Sequence, residues 1–387
     1  MKVCFETFGC RLNKAEALQL EADYLARGWE VTQRHSDANL FIVRGCSVTA
    51  RAQSDCENTI SHLKRHYPNV PIRVCGCLTA PGMQRELPFA SDKGEEPAPP
   101  VRTARAYLKV QDGCSGTCTF CIVPKFRGAA RSEAFTDVLD RAKRFIETGY
   151  HEIVVTGCNL ALYASQGRRL PELVCALADL DEGCRIRIGS LEPWAGARET
   201  VQAMAERKNV CRFLHLPIQS GSTRILKSMR RPYASKDVDA LVAEAVKLMP
   251  GLGLGCDLMS GFPDESDLDH LATAGLLKRH PFTNAHVFPY SERPGTQAAG
   301  YPNVVPRAIR SARAHELSDI AAGLRTKFAR SFIGKTVEIV VERHSKTKGW
   351  TGEYLPCEAD ELKPRKSLVR IRVTRANGET LFGSVIT

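Results

Sequence analysis

Short apolar runs alternate with amphipathic segments over the first 80 residues of the chain. Strands are predicted at residues 2–7, 39–43 and 72–76, and helices at residues 13–27 and from about residue 47 to residue 66. The order strand–helix–strand–helix–strand is typical of a small parallel, doubly wound sheet. In such a sheet, ligands bind at the carboxyl ends of the strands.

The same alternation returns from residue 104 to about residue 290, after a segment rich in proline and charge at residues 81–103 that we predict to be a linker. Helices are predicted at residues 135–148 and 236–248, among others. The candidate strands are residues 106–111, 152–156, 185–188, 213–216, 253–259 and 284–288. Six strand–helix units predict a partial TIM-type (β/α)6 barrel with its chemistry at the carboxyl ends of the strands.

The pattern changes again after Pro306, where a helix is predicted to about Phe332. Three short β-like runs at residues 336–341, 368–373 and 381–385 then predict a small antiparallel β-barrel. The fold class is α/β, and the basic, β-rich tail is separate in pattern from the parts that carry the clustered cysteines. The predicted parts are an N-terminal domain (1–80), the linker (81–103), a barrel domain (104–305), a connecting helix (306–334) and a tail domain (335–387).

The charge and composition of the chain indicate what kind of binding partner it has and in which cellular compartment it works. The net charge is +11, and residues 305–387 hold 16 Lys and Arg against 9 Asp and Glu, so more than half of the net charge lies in the tail. This favours a polyanionic partner such as nucleic acid; a basic surface without a partner is the alternative. The apolar runs are shorter than the roughly 20 residues of a membrane span, and no apolar signal core begins the chain. We expect a cytoplasmic protein without a membrane contact.

The chain has 15 cysteines, and in a reducing cytoplasm metal binding or catalysis explains clustered thiols better than disulfides do. Cys114, Cys118 and Cys121 follow a predicted strand with C-x3-C-x2-C spacing. Three thiolates can bind three corners of a 4Fe–4S cluster and leave the fourth iron open. A zinc site is the alternative, but zinc usually takes a fourth Cys or His, and none follows before His151.

A second set of cysteines lies in the N-terminal domain. Cys10, Cys46 and Cys77 each follow the end of a predicted strand. Because the carboxyl ends of parallel strands lie along one edge of a sheet, three cysteines far apart in sequence can converge there and offer three ligands to a second cluster. Three unrelated loop residues are the alternative, and Cys75 competes with Cys77 for the third position.

The C-x3-C-x2-C spacing after a first barrel strand resembles the radical S-adenosylmethionine (SAM) superfamily, and nearly the whole chain resembles the methylthiotransferase family. The motifs that carry this resemblance are Thr7-Phe8-Gly9-Cys10-Arg11-Leu12-Asn13, Arg44-Gly45-Cys46-Ser47, Gly76-Cys77, Gln111-Asp112-Gly113-Cys114, Ile188-Gly189-Ser190-Leu191-Glu192-Pro193, His215-Leu216-Pro217-Ile218-Gln219-Ser220-Gly221, Gly261-Phe262-Pro263 and Phe288-Pro289-Tyr290-Ser291-Glu292-Arg293-Pro294-Gly295-Thr296. The chain departs from the family at Gly45, where Thr is common, at Asp264, where Gly is usual, and in its shorter first domain.

The resemblance implies two 4Fe–4S clusters and SAM as cofactors. SAM would bind the open iron of the cluster on the C-x3-C-x2-C loop, with Phe120 near its adenine, and Cys10, Cys46 and Cys77 would hold the second cluster. Core packing is the alternative role of Phe120. The resemblance also implies a TRAM-type tail barrel that binds RNA, and an electron donor such as a flavodoxin or ferredoxin.

Five further residues at predicted strand ends are candidates for the SAM site. Gly157 would allow close approach because it has no side chain, and Ser190 and Glu192 end another strand. His215 and Gln219 would line the same mouth. Equally, His215 could be a structural histidine at a strand end, with its hydrogen bonds made within the protein and no contact with SAM.

The resemblance implies a reaction in which one SAM supplies a radical that abstracts hydrogen from the substrate carbon, a second SAM supplies a methyl group, and the auxiliary cluster supplies sulfur. The substrates in the family are isopentenyladenosine in tRNA, threonylcarbamoyladenosine in tRNA and an aspartate of a ribosomal protein. Among the branches of the methylthiotransferase family, the motif Cys10-Arg11-Leu12-Asn13 most resembles the branch that acts on threonylcarbamoyladenosine. We therefore expect 2-methylthiolation of that nucleoside, next to the anticodon.

A threonylcarbamoyl group carries a carboxylate, so its pocket should contain a cation. Arg293 follows a predicted strand end that should face the cavity and is the candidate; a structural ion pair at the barrel rim is its alternative. The target base would have to leave its stack in the anticodon loop of tRNA to enter the cavity. A non-enzyme alternative is an iron–sulfur protein for RNA binding or electron transfer, although electron transfer needs no open iron.

Overall fold

The computed structural model describes residues 1–47, 50–78, 103–194, 196–342, 345 and 347–386, so all of the predicted linker except residue 103 lies outside the described residues. The elements of the N-terminal part are β1 (Lys2–Thr7), α1 (Arg11–Ala26), β2 (Glu30–Thr32), β3 (Leu40–Gly45), α2 (Ala50–His66) and β4 (Ile72–Gly76). The strands form one parallel sheet, the N-terminal sheet, in the order β2-β1-β3-β4. The short edge strand β2 was not predicted.

The N-terminal sheet carries a helix on each face, as a doubly wound sheet requires. Val3 and Ile42 pack with Leu20 of α1, whereas Phe41, the neighbour of Ile42 in β3, packs with Leu63 of α2. Successive residues of a strand point to opposite faces, so the two helices cover opposite sides. The apolar run of β3 is therefore buried on both faces.

The middle of the chain forms a second α/β unit. Its elements are β5 (Ala106–Lys109), β6 (Gln111–Asp112), α3 (Val123–Arg127), β7 (Arg131–Ser132), α4 (Phe135–Glu147), β8 (Glu152–Thr156), β9 (Ala164–Ser165), β10 (Arg168–Arg169), α5 (Leu170–Ala178), β11 (Arg185–Ile188), α6 (Ala197–Glu206), β12 (Phe213–Gln219), α7 (Thr223–Ser228), α8 (Ser235–Leu248), β13 (Gly253–Ser260), α9 (Asp267–Arg279), β14 (Phe282–Pro289) and α10 (Arg307–Arg330).

Six parallel strands of this unit form the predicted partial barrel. Strands β5, β8 and β11 make one three-stranded sheet, and β12, β13 and β14 make another. Two parallel bridges join the two sheets. Ile186 of β11 pairs with Val210, just before β12, and Ser190, just after β11, pairs with His215 of β12. Helix α10 packs along the last strand, β14. Among the described residues, no helix is long and apolar enough to cross a membrane.

The tail forms a closed five-stranded barrel, the tail barrel, but it is not purely antiparallel as predicted. Its strands are β15 (Thr336–Val341), β16 (Lys348–Thr351), β17 (Pro356–Ala359), β18 (Leu368–Asn377) and β19 (Thr380–Ile386). Four of the five strand pairs are antiparallel, and β17 with β19 is parallel. A closed ring with an odd number of strands cannot alternate direction all the way round, so one parallel pair is unavoidable.

The tail barrel packs against the partial barrel. Tyr354, in the turn between β16 and β17, stacks on Phe213 at the start of β12 and on Trp350, with ring centroids 4.7 Å apart in both pairs. Arg185 and Arg187 of β11 donate hydrogen bonds to backbone carbonyls of the tail. The turn between β16 and β17 therefore packs against the amino ends of the barrel strands.

Candidate functional site

The cluster loop (residues 114–121) follows β6 and leads into α3, at the carboxyl end of the first barrel strand. Its cysteines, Cys114, Cys118 and Cys121, all line one cavity of about 330 Å³. The loop turns closely around the sulfurs: the N–H of Gly116 donates to Cys114 Sγ (3.3 Å), and a Cβ at residue 116 would lie 3.2 Å from the same atom. Hydrogen bonds to the cysteine sulfurs are a regular feature of iron–sulfur sites, so the loop fits a cluster.

Arg231, which no motif in the sequence predicts as a site residue, joins the cluster loop to Glu192. Its Nη1 donates to Cys118 Sγ (3.1 Å), its Nε donates to the hydroxyl of Tyr233 (2.8 Å), and its Nη2 pairs with the carboxylate of Glu192. Burial raises the pKa of Glu192 to about 7, although the charge of Arg231 acts in the opposite direction. Residues 118 and 231 are 113 positions apart, so no local spacing reveals this contact.

Two buried amide oxygens at the cavity have no hydrogen-bond partner among the described residues, Oδ1 of Asn159 and Oε1 of Gln219. Gln219 also has a left-handed backbone with φ of 71°, which costs about 1–3 kcal/mol outside glycine. Buried acceptors without a donor are costly. A ligand that brings amino groups, as SAM does, would supply the missing donors, so these residues fit SAM.

The predicted SAM and substrate residues fall into two groups. Four line the cavity: Phe120, Glu192, Gln219 and Arg293. Three others are not among the described residues that line the cavity: Gly157, Ser190 and His215. A Cβ on Gly157 would lie 3.0 Å from atoms of Gln111, so this glycine allows close packing at the strand end. His215 is buried, and its Nε2 contacts a carboxylate oxygen of Asp257 (3.0 Å), which does line the cavity.

Cys10, Cys46 and Cys77 lie beyond the carboxyl ends of β1, β3 and β4, which are neighbours in the N-terminal sheet. Cys10 is exposed and the other two are buried. A glycine precedes each cysteine. A Cβ on Gly9 would lie 2.6 Å from the Cβ of Cys46, and a Cβ on Gly76 would lie 2.6 Å from a carbonyl oxygen. The structure thus brings the three loops together more closely than side chains would allow, which fits a shared ligand.

Asn13, at the start of α1, ties the loops of the auxiliary cysteines together. Its Nδ2 donates to the carbonyls of Phe8 (2.8 Å) and Gly45 (3.0 Å). Ser47, just after the second cysteine, donates its hydroxyl to the carbonyl of Cys77. These bonds hold the loops in place through polar groups of the chain itself.

Cys75 and Cys77 occupy different environments. Cys75, inside β4, is buried in the core with Val3 and Leu20. Cys77 lies past the end of the strand, and its Sγ accepts a hydrogen bond from Nε of Arg127 (3.2 Å). Burial raises the pKa of both thiols, and in each case a neighbouring arginine acts in the opposite direction. The position beyond the strand end favours Cys77 as the third auxiliary ligand.

An ion cluster joins α1 to the partial barrel between the two sets of cysteines. Glu16 of α1 pairs with Lys109 (2.8 Å), Arg127 (2.8 Å) and Arg44. Asp112 pairs with Lys109 (2.8 Å) and Arg127 (3.0 Å). Burial opposes the ionisation of Glu16, but the hydrogen bond from Arg127 and the charges of the three cations outweigh it and hold the pKa of Glu16 well below its usual range. The ionised carboxylates therefore attach the N-terminal sheet to the barrel.

The N-terminal part also reaches the cavity through α2. Nη2 of Arg293 donates to the side-chain oxygen of Gln53. Arg293 is only 9% exposed, and its Nε has no hydrogen-bond partner among the described residues. The cation predicted from the sequence is therefore a buried part of the cavity wall, and its partner in the structure is an uncharged amide.

Two protein-family matches span the two sets of cysteines. Residues 108–277 match the Radical SAM superfamily, and residues 2–88 match an uncharacterized protein family, UPF0004. The chain is 30% identical to the tRNA-2-methylthio-N(6)-dimethylallyladenosine synthase of Chlorobium phaeovibrioides, over 97% of this chain and 95% of that protein. It is 29% identical to the threonylcarbamoyladenosine tRNA methylthiotransferase MtaB of Bacillus subtilis, over 91% of this chain and 89% of that protein.

Among solved structures, the radical SAM methyltransferase TsrM from Kitasatospora setae is similar, with a TM-score of 0.55 and 14% identity over 77% of this chain and 75% of that one. This likeness concerns the fold alone, and it agrees with the partial barrel described above. The two relatives, by contrast, match 97% and 91% of this chain. The chain therefore belongs to the radical SAM methylthiotransferase family.

Proposed function

We propose that this enzyme adds a methylthio group to C2 of N6-threonylcarbamoyladenosine next to the anticodon of tRNA. The methylthiotransferase chemistry follows from the family. The choice of nucleoside rests on one observation, the buried cation Arg293 in the cavity wall. The two relatives do not distinguish between the nucleosides, because one is named for dimethylallyladenosine and the other for threonylcarbamoyladenosine.

The cofactors of the family are 4Fe–4S clusters and SAM. The three cysteines of the cluster loop would hold the radical cluster, and Cys10, Cys46 and Cys77 would hold the auxiliary cluster. When bound and reduced, these cofactors supply a 5′-deoxyadenosyl radical and the sulfur and methyl groups, which is chemistry that protein side chains cannot perform. The protein supplies binding, orientation and the exclusion of water.

The side chains around the cluster loop bind and orient the cofactors. Arg231 holds Cys118 and Glu192 in fixed positions through charge-assisted hydrogen bonds. The unpaired oxygens of Asn159 and Gln219 are acceptors for the amino groups of SAM. Cys118, Glu192, Asn159 and Gln219 lie at strand ends or in loops that directly follow strands, so the barrel determines their spacing. Arg231 lies in the loop between α7 and α8.

Arg293 has the burial and the unused hydrogen-bonding capacity that a carboxylate ligand needs. One of its donors is taken by Gln53, and its Nε is unpaired among the described residues. A buried cation without a counter-ion is costly, and a carboxylate can bind a guanidinium with two parallel hydrogen bonds. The carboxylate of a threonylcarbamoyl group would supply that counter-ion.

Isopentenyladenosine is the second candidate, because the same cavity also has apolar walls. Met259, Phe288 and Trp194 are among its lining residues. An isopentenyl group is uncharged and would pack against them. Arg293, which has no counter-ion among the described residues, would then remain without one, and for this reason the threonylcarbamoyl group is the better match.

The tail barrel supports tRNA as the substrate carrier. Strand β18 alternates buried Ile371 and Val373 with exposed Arg370 and Arg372, so its cations face outward. Phosphate contacts of this kind give affinity and salt dependence rather than sequence choice. Residues 335–387 would thus form the RNA-binding domain, and the barrel cavity would select the nucleoside.

Reduction of the radical cluster requires a one-electron donor, and a flavodoxin or a ferredoxin is the donor that we expect. A tRNA substrate and such a donor support a cytoplasmic location. Mass spectrometry of tRNA nucleosides from a strain that lacks the gene tests the proposal. The methylthio derivative of threonylcarbamoyladenosine should disappear and its precursor should accumulate. Loss of the methylthio derivative of isopentenyladenosine instead would overturn the choice of nucleoside.

A further inference from the structure

The guanidinium of Arg127 lies between the two sets of cysteines and uses all five of its N–H donors. Its Nε donates to Cys77 Sγ (3.2 Å), its Nη1 donates to Glu16 (2.8 Å) and Asp112 (3.0 Å), and its Nη2 donates to Asn13 (2.8 Å) and Glu16 (3.0 Å). The side chain is 3% exposed. Because the five donors lie in one rigid plane, these acceptors leave the group a single orientation.

The partners of Arg127 are themselves tied to the cysteines. Asp112 accepts a hydrogen bond from the N–H of Gly113 (2.8 Å), the residue before the first cysteine of the cluster loop. Asn13 donates to the carbonyl of Gly45 (3.0 Å), the residue before the second auxiliary cysteine. Arg127 itself ends α3, the short helix that follows the cluster loop. One side chain of the barrel therefore contacts the supports of both cysteine sets.

A hydrogen bond to a ligand sulfur, such as the one from Arg127 to Cys77, changes the reduction potential of an iron–sulfur cluster. Reduction adds negative charge to a cluster and its ligands, and hydrogen bonds to the sulfurs and the local net charge are among the factors that set its potential. A guanidinium at the ligand sulfur provides both a donor and a positive charge. The burial of Arg127 also shields this interaction from salt.

We propose that Arg127 is a positioning residue for the auxiliary cluster, which it contacts from the barrel side of the interface, and that its hydrogen bond to Cys77 raises the reduction potential of that cluster. This inference rests on the proposed role of Cys77 as a ligand and does not depend on which nucleoside is the substrate. Lysine at this position would keep the charge but lacks the planar fork, so it could not serve all four partners at once.

The test is the midpoint potential of the auxiliary cluster in the full chain, with the three cysteines of the cluster loop changed to Ala so that no other cluster is present. Arg127→Gln should change the reduced-to-oxidised ratio at a fixed potential about tenfold toward the oxidised form, which for one electron is about 59 mV. Arg127→Lys should give a smaller change in the same direction. The matched control is Arg131→Gln, which removes a 64% exposed cation 3.8 Å from Asp112 and should leave the potential unchanged.

Equal potentials in Arg127→Gln and in the control would overturn the inference. Loss of the auxiliary iron from both Arg127 variants would also overturn it, because Arg127 would then hold the interface together rather than set the potential. Failure of the underlying site is seen separately: if Cys77→Ala in the same background keeps its iron, Cys77 is not a ligand. Failure of the substrate choice appears only in the nucleoside analysis.

Discussion

Changing Glu152 to Gln tests how the tail barrel is held on the partial barrel. Glu152 is fully buried (0% exposed) in β8 and accepts hydrogen bonds from Arg185 (3.1 Å) and Arg187 (2.7 Å) of the neighbouring strand β11. The same guanidinium groups donate to backbone carbonyls of the tail, Arg185 to Glu338 (2.8 Å) and Arg187 to Thr351 (2.8 Å). One carboxylate therefore neutralises two of the cations that contact the tail.

Removing one partner from a buried ion pair leaves an uncompensated charge and costs about 3–5 kcal/mol. Because Glu152 serves two arginines, we expect Glu152→Gln to lower the free energy of unfolding by an amount in the upper half of that range. The matched control is Glu244→Gln in α8. Glu244 pairs with Arg198 (3.2 Å), which is 62% exposed, and loss of a surface pair costs less than about 1 kcal/mol.

Urea unfolding, followed by circular dichroism, measures both variants, and its pH dependence gives a second check. Burial alone would raise the pKa of Glu152, but the charges of Arg187, Arg185 and Arg105 outweigh it and hold the pKa well below its usual range. The stability that this group contributes is therefore present above the pKa of about 4.3 of an unfolded Glu and is lost as the pH falls below it. The difference between wild type and Glu152→Gln should shrink as the pH is lowered through that value. Equal small losses in the two variants, or a difference that does not change with pH, would refute this reasoning.

Three further predictions concern the cysteines and Arg293. With all three cysteines of the cluster loop changed to Ala, the purified enzyme should release no 5′-deoxyadenosine on reduction, and release at the wild-type rate would contradict that site. Cys77→Ala should lower the iron content of reconstituted protein from about eight to about four per chain, whereas Cys75→Ala should keep it; the opposite result would make Cys75 the ligand. Arg293→Met should lower kcat/KM for tRNA with threonylcarbamoyladenosine about 10- to 100-fold, because a charge-assisted hydrogen bond contributes about 1.5–3 kcal/mol. An unchanged kcat/KM would limit Arg293 to its contact with Gln53.

The strands of the partial barrel are largely predictable, whereas part of the tail barrel is not. Strand β8 begins and ends where the sequence predicts, because Ile153, Val154 and Val155 form an apolar run that is buried on both faces. Strands β16 and β17 were not predicted. The first reads Lys348-Gly349-Trp350-Thr351, and the second opens with a proline. These strands form because they close the barrel, and a single sequence does not show that long-range pairing.

The cysteine sets are predictable for a local reason, and their hydrogen-bond partners are not. Spacing within one loop, and placement at strand ends, can be read directly from neighbouring residues. Arg127 reaches Cys77 across 50 positions, and Arg231 reaches Cys118 across 113 positions. In the sequence, both arginines resemble any surface cation. Their roles follow only from the packing of the N-terminal sheet and the barrel strands.

The most direct test of the proposed function is to offer the purified, reconstituted enzyme two tRNAs, one with N6-threonylcarbamoyladenosine and one with isopentenyladenosine next to the anticodon. After reduction in the presence of SAM, the nucleosides are separated and identified by mass spectrometry. We expect the methylthio product only from the threonylcarbamoyl tRNA, because its carboxylate is the counter-ion that the buried Arg293 lacks among the described residues. Product from the isopentenyl tRNA alone would contradict the substrate assignment and would leave the methylthiotransferase chemistry in place.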